Sequence, residues 1–190
     1  MDDARREVPR ITEGMREVAR ANPGQWVYVI DPEFDPDGAV PAWGIEGAFP
    51  TNRAGQILRD GYRPNGKYRP GPRRRGFPVP VNQVERALEL AVAEYGPTSD
   101  LLVALRQATL VIPALRGARG QIPIVTDSEG RSLLMAFTST ERVTAGAAAG
   151  GPPQELEVRR LADVLRRVRV RLNPGSPPSL TLDGPEILES

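Results

Sequence analysis

The 190-residue chain contains no cysteine and no histidine. Without Cys there is no disulfide framework, no thiolate nucleophile and no thiolate metal site. Without His there is no Ser-His-Asp triad, no imidazole base and no imidazole metal ligand. Lysine is nearly absent too: Lys67 is the single Lys among 25 basic residues. Catalysis would therefore fall to carboxylates, Arg, hydroxyls and backbone. Aromatic residues make up only 5% of the chain, so Leu, Val, Ile and Ala must form the core. No apolar run reaches the ~18 residues needed to span a bilayer, and no apolar stretch follows the charged first residues as in a secretory signal. The chain reads as cytoplasmic.

The 39% hydrophobic and 26% charged fractions are those of a globular protein. Helical and strand patterns alternate without a βαβ rhythm, which predicts an α+β class with mixed sheets and packed helices. Three regions are expected. Residues 1–10 read as a disordered tail, 11–80 as an N-terminal α+β region, and 81–190 as a second α/β domain, the two joined by a Pro/Gly/Arg-rich strap.

In the first region, Met15, Val18 and Ala19 mark one face of a helix that ends at Asn22-Pro23-Gly24. Residues 26–30, Trp-Val-Tyr-Val-Ile, predict a strand buried on both faces. Residues 43–49 and 56–59 predict a hairpin across a Gly-containing loop. Between strand and hairpin, Asp31, Glu33, Asp35 and Asp37 form an acidic turn before Gly38. Its spacing is that of a calcium loop's beginning, but with Glu33 in the first position the bidentate Glu would have to be Gly44. Pro32 and Pro36 also stiffen backbone that would wrap an ion. The turn is therefore read as Asp side chains satisfying local amides, with no metal and no cofactor.

Residues 61–80 hold five prolines, four glycines, six basic residues and no acid. Such a stretch cannot form the interior of a regular element. It predicts an extended strap with Tyr rings packed down and Arg heads out. The strap could pair internally with the acidic turn, contact a protein, or track a nucleic-acid backbone beside stacking rings. Asp35, Asp37 and Trp43 on the turn, with Tyr68, Arg69, Arg73, Arg74 and Arg75 on the strap, are the candidate protein-binding residues. No phosphate loop and no acid/base pair stands out, so no catalytic residue is assigned.

In the second region Asn82 and Glu85 have capping-box spacing ahead of an amphipathic helix. A second helix capped by Thr98 or Ser99 follows, then strands at 109–112, 122–126 and 132–137, with a turn at Glu129-Gly130. Residues 145–153 read as a surface loop and 154–167 as a helix. Val168, Val170 and Leu172 alternate with Arg169 and Arg171 as a half-buried strand, and a last strand returns at 179–182.

Two stretches resemble known families. The run 26–38, with Val40-Pro41, Trp43-Gly44, Gly47-Ala48 and the later Tyr68-Arg69-Pro70, resembles actinobacterial type VII secretion system-associated proteins. The second half is similar to the SseB N-terminal domain family, in the strand ending at Pro113, the strand 122–127 and, above all, the Asn173-Pro174-Gly175-Ser176-Pro177 turn. The resemblance implies a cytoplasmic, non-enzymatic accessory protein that acts through a protein partner, a secretion component or substrate. The alternative is a nucleic-acid-binding module using the strap at 63–75.

Overall fold

Alternating side chains decide the first sheet. The computed structural model describes residues 8–114, 121–148 and 151–189. The expected tail is described only at residues 8–10, where Pro9 is buried; residues 1–7 lie outside the described residues. The chain divides into two compact units, Met1–Gly76 and Phe77–Ser190.

The first unit opens with helix α1 (Glu13–Ala21). Its N-cap Thr12 accepts a hydrogen bond from the Met15 amide, and Ala19 is buried. Strand β1 (Trp26–Ile30) pairs antiparallel with β2 (Ile45–Pro50), which pairs antiparallel with the short β3 (Arg63–Pro64). The sequence pattern of β1 implied burial on both faces, but only Val27 and Val29 are buried, while Trp26 and Tyr28 are exposed. One face of this three-stranded sheet carries the core and the other is open. The expected 43–49/56–59 hairpin is likewise reduced to one bridge, Thr51 with Ile57. Asn52 folds the turn between them, its Oδ1 accepting from the Ala54 and Gln56 amides. The long partner of β2 is β1, because Val27 and Val29 bring the apolar face that Phe49 needs.

The second unit has α+β architecture. Helices α2 (Gln83–Ala93) and α3 (Thr98–Arg106) lead into β4 (Thr109–Ile112). Strands β5 (Ile124–Thr126) and β6 (Ser132–Ala136) form a hairpin whose turn places Gly130 at φ 78°. A one-turn helix α4 (Ala145–Ala148) falls in the expected 145–153 loop, of which residues 149–150 lie outside the described residues. Then come β7 (Gln154–Glu157), a 3-10 turn at Val158–Leu161 and α5 (Ala162–Leu165). Strands β8 (Arg169–Leu172) and β9 (Leu180–Asp183) and helix α6 (Gly184–Leu188) complete the chain.

The 154–167 helix expected from sequence is therefore split. Its first four residues form β7 and pair antiparallel with β4, Leu156 opposite Leu110. Strand β4 needs a partner for its backbone, and the tertiary ladder overrides the helix propensity of Gln-Glu-Leu-Glu. Helix α3 also differs from expectation at its start, where Pro97, with no side-chain cap bond, takes the cap position expected for Thr98 or Ser99.

The four-stranded sheet runs β5-β6-β8-β9, with β6 and β8 parallel. Parallel neighbours require a crossover, and residues 137–168 supply it. Val170 and Leu172 lie opposite Leu134 and Ala136 on one side and Leu182 and Leu180 on the other. That face packs with Leu88, Leu101, Leu105, Leu161, Leu165 and Ile187 from the helices and the 3-10 turn. A backbone bridge between Val111 and Phe137 ties β4 to the end of β6.

Gly184 sits where β9 turns into α6. A Cβ there would lie 2.1 Å from the Leu165 carbonyl oxygen and 2.5 Å from that of Val168. Gly184→Ala is expected to cost about 2–3 kcal/mol, because both obstacles are backbone and cannot rotate away. Gly66→Ala, with nothing within 4 Å, should be nearly neutral. Urea unfolding of the two variants checks the contrast.

Candidate functional site

Asp31 closes β1 and is fully buried. A buried carboxylate needs donors for its oxygens, and three converge on it. Oδ1 accepts from the Glu33 amide at 3.0 Å. Oδ2 accepts from the Tyr68 hydroxyl at 2.6 Å and the Gly71 amide at 2.9 Å. The acidic turn and the strap are thus joined through one carboxylate. Gly71 admits no substituent, since a Cβ would stand 2.6 Å from Asp31 Oδ1 and 2.9 Å from Glu33 Cγ. The Tyr68 phenol is pushed well above its ordinary pKa, first by burial and then by the Asp31 carboxylate that its proton must hold.

Further bonds hold the strap along its length. Asn65 Nδ2 donates to the Ala42 carbonyl at 2.6 Å and the Ile45 carbonyl at 2.7 Å. The Arg69 amide donates to the Trp43 carbonyl at 2.9 Å. Arg74 Nη2 lies 2.8 Å from Glu46 Oε2, and Arg73 Nε lies 3.5 Å from Glu33 Oε1. The Arg75 side chain turns back, its Nε donating to the Pro70 carbonyl at 2.9 Å. Trp43 is half-buried and meets Phe34 edge-on with ring centroids 5.3 Å apart. A cleft of about 640 Å³ opens at this clasp, with Arg10, Glu46, Tyr62, Tyr68 and Arg74 on its walls.

The structure brings Tyr68 and Arg73 onto the acidic turn and Arg74 onto Glu46 of β2. Arg69 and Arg75 are exposed, as are Asp35 and Asp37. Asp35 Oδ1 accepts from the Asp37 amide at 3.0 Å, a local turn bond of the kind read from sequence. Sequence reasoning missed Asp31 and Asn65 as the anchors. The signal for Asp31 was its place directly after a hydrophobic strand, where a carboxylate is drawn inside. Asn65 carried no signal, because only the tertiary pairing of β2 with β3 puts it over residues 42–45. Among the described residues, no group of three or more acids is placed to hold a metal ion.

The second unit buries a polar cluster of its own. Glu85 Oε2 lies 2.6 Å from Arg142 Nη2, with both side chains almost wholly buried. Glu85 also accepts from the Val81 amide at 3.0 Å, and the Thr138 hydroxyl lies 3.1 Å from its Oε1. Burial alone would raise the Glu85 pKa, but the bonds from Arg142 and the Val81 amide outweigh it and hold it at about 2. Asn173 Oδ1 accepts from the Thr138 amide at 2.9 Å, and its Nδ2 donates to the Pro178 carbonyl. Asn173 adopts φ 49°, a left-handed conformation that Asn tolerates better than most residues. The NPGSP turn is therefore a structural lock, tied through Thr138 to Glu85 at the start of α2.

An α+β unit built on a mixed sheet and closed by this lock is what the second half resembled in sequence. The chain belongs to the SseB family: residues 84–189, more than half of it, match the SseB protein N-terminal domain. No curated protein and no solved structure matches the chain. Among the described residues, no helix is long and apolar enough to cross a membrane.

Proposed function

We propose that the protein is a non-enzymatic cytoplasmic accessory protein that acts by binding another protein, in association with type VII secretion. The strap carries this reading. Asp31 and Asn65 pin its backbone, while the Arg73 side chain stays 70% exposed and that of Arg74 42% exposed. A row of guanidinium groups on a fixed backbone has little ordering entropy left to lose on docking. Asp35, Asp37 and Trp43 extend the surface on the acidic side. The SseB domain is compatible with a protein-interacting role. The secretion context rests on the likeness of the 26–48 and 68–70 stretches to type VII secretion system-associated proteins.

The test is a pull-down from native cytosol with the tagged full chain and with a variant carrying Arg73→Ala, Arg74→Ala and Arg75→Ala. The wild-type chain should retain a secretion component or substrate, and the variant about tenfold less. Recovery of neither class would sink the proposal, and equal recovery by the variant would remove the strap from it. Oligonucleotide binding whose affinity falls steeply with salt would put the nucleic-acid reading in its place.

A further inference from the structure

Positive charge in the first unit is concentrated in the strap. Residues 1–76 carry 13 basic and 11 acidic side chains, and six of the basic ones fall at 63–75, where no acid occurs. The rest of the unit holds seven basic residues against the same 11 acids. A near-neutral total therefore hides a basic segment set in an acidic surround. Folding brings Glu33 to Arg73 and Glu46 to Arg74. At 3.5 Å the Arg73 contact is too long for a strong charge-assisted bond. Lys67, Arg69, Arg73, Arg74 and Arg75 all remain exposed.

The backbone beneath these cations is fixed at several points. The Lys67 amide donates to Asn65 Oδ1 at 3.0 Å, in a turn that Asn65 also ties to the Ala42 and Ile45 carbonyls. The Gly71 amide is held on Asp31. From Gly71 the chain makes one tight turn, the Arg75 amide donating to the Gly71 carbonyl at 2.9 Å and the Gly76 amide to the Arg73 carbonyl at 3.2 Å. That turn sends three consecutive arginines different ways, to Glu33, to Glu46 and to the Pro70 carbonyl.

We infer that the partner docks on the strap through a short acidic segment, a run of Asp or Glu side chains that pair with Lys67, Arg69, Arg73 and Arg75. The inference rests on the protein-binding role proposed above and names the chemistry of the partner. Charge complementarity selects the acid, since five exposed cations stand on a segment that contains no carboxylate. Guanidinium groups match carboxylates in particular, because their planar fork can donate two parallel hydrogen bonds. The acidic surround selects a short segment. Asp35 and Asp37 are exposed on the same turn as Glu33, which meets Arg73. A nucleic acid carries a charge at every phosphate and would run from the strap onto those acids. A peptide can confine its carboxylates to the strap.

The experiment is a titration of a dye-labelled hexaglutamate peptide with the full chain at low salt, followed by fluorescence anisotropy. Hexaglutamine, hexalysine and an oligothymidylate of equal charge serve as comparisons. Saturable binding of hexaglutamate is expected, weakened about tenfold in the Arg73/Arg74/Arg75 triple-Ala variant. Should that variant fail to fold, Lys67→Gln/Arg69→Gln, which leaves the Asp31 and Glu46 contacts in place, should weaken binding about fivefold. The inference is overturned by absent saturation, by equal binding of hexaglutamine or hexalysine, by tighter binding of the oligothymidylate, or by folded variants that bind unchanged. The pull-down separates this result from the proposed function. A partner retained by the wild type and lost by the triple variant, with no binding of hexaglutamate, overturns the acidic segment and leaves the proposed function standing. Saturable hexaglutamate binding supports the inference even where no partner is retained, and the proposed function alone then falls.

Discussion

Arg142→Met is expected to destabilise the second unit by roughly 3–5 kcal/mol, the loss typical of breaking one side of a buried ion pair. Arg142 and Glu85 are both almost wholly buried and lie 2.6 Å apart. Removing the guanidinium leaves a carboxylate surrounded by protein, with the Val81 amide and the Thr138 hydroxyl as its remaining donors. The Val79 carbonyl also loses the bond it accepts from Arg142 Nη2 at 3.2 Å. The double variant Glu85→Gln/Arg142→Met should recover much of the loss, because no buried charge is then left unpaired. Urea unfolding of the singles and the double measures this. A double variant no more stable than Arg142→Met would show that lost packing, and not the orphaned charge, is responsible.

The same pair sets an acid response. Glu85 is held at about 2 in the folded chain, below the ordinary 4.5. A depressed carboxylate stabilises the fold fully above its unfolded pKa and loses that contribution as pH falls through its folded pKa. The second unit should therefore lose on the order of 3 kcal/mol between about pH 4.5 and pH 2 through this group. In Arg142→Met the burial of Glu85 acts without its main counterweight and drives its pKa upward. That variant should lack the acid-labile component, and unfolding curves at pH 2, 4 and 7 would show it.

The second large effect lies at Asp31. Asp31→Ala strands three donors, the Glu33 and Gly71 amides and the Tyr68 hydroxyl, inside the first unit. Each orphaned buried donor costs about 1–3 kcal/mol, and since only the Gly71 bond is fully buried the three together should fall at the low end, on the order of 3–5 kcal/mol. The strap should also loosen before the sheet does, since Arg73–Glu33 and Arg74–Glu46 are partly exposed pairs and hold little by themselves. Trypsin should then cut within residues 69–75 much faster than in the wild type, and the Gly71 amide should lose hydrogen-exchange protection. Asp31→Asn should recover only part, because one carboxamide oxygen can serve Tyr68 and Gly71 but its NH2 would then face the Glu33 N–H. Unchanged cleavage in Asp31→Ala would mean that the remaining contacts suffice to hold the strap.

The local periodicities were legible where a segment's own chemistry settled its state. Asn82 accepts from the Glu85 amide as its capping spacing implied. Val170 and Leu172 point inward and Arg171 outward, as alternation required. The Glu129-Gly130 turn closes a hairpin because Gly can adopt φ 78° and Asp127 gathers the neighbouring amides. Elements whose state depends on a distant partner were not legible. Gln154–Glu157 reads as helix until β4 presents an unpaired edge. The Trp26–Ile30 run reads as doubly buried until the sheet is found to carry a core on one face only.

The candidate site divides along the same line. Absence of Cys and His, the acidic turn and the Pro/Gly/Arg strap were all readable from sequence, because composition and punctuation are properties of the chain itself. That Asp31 is the carboxylate joining turn to strap, and that Glu85 and Arg142, 57 residues apart, neutralise each other, was decided by tertiary structure alone. A charge written in a sequence carries no record of its partner. Burial decides which charges must find one, and burial exists only once the chain has folded.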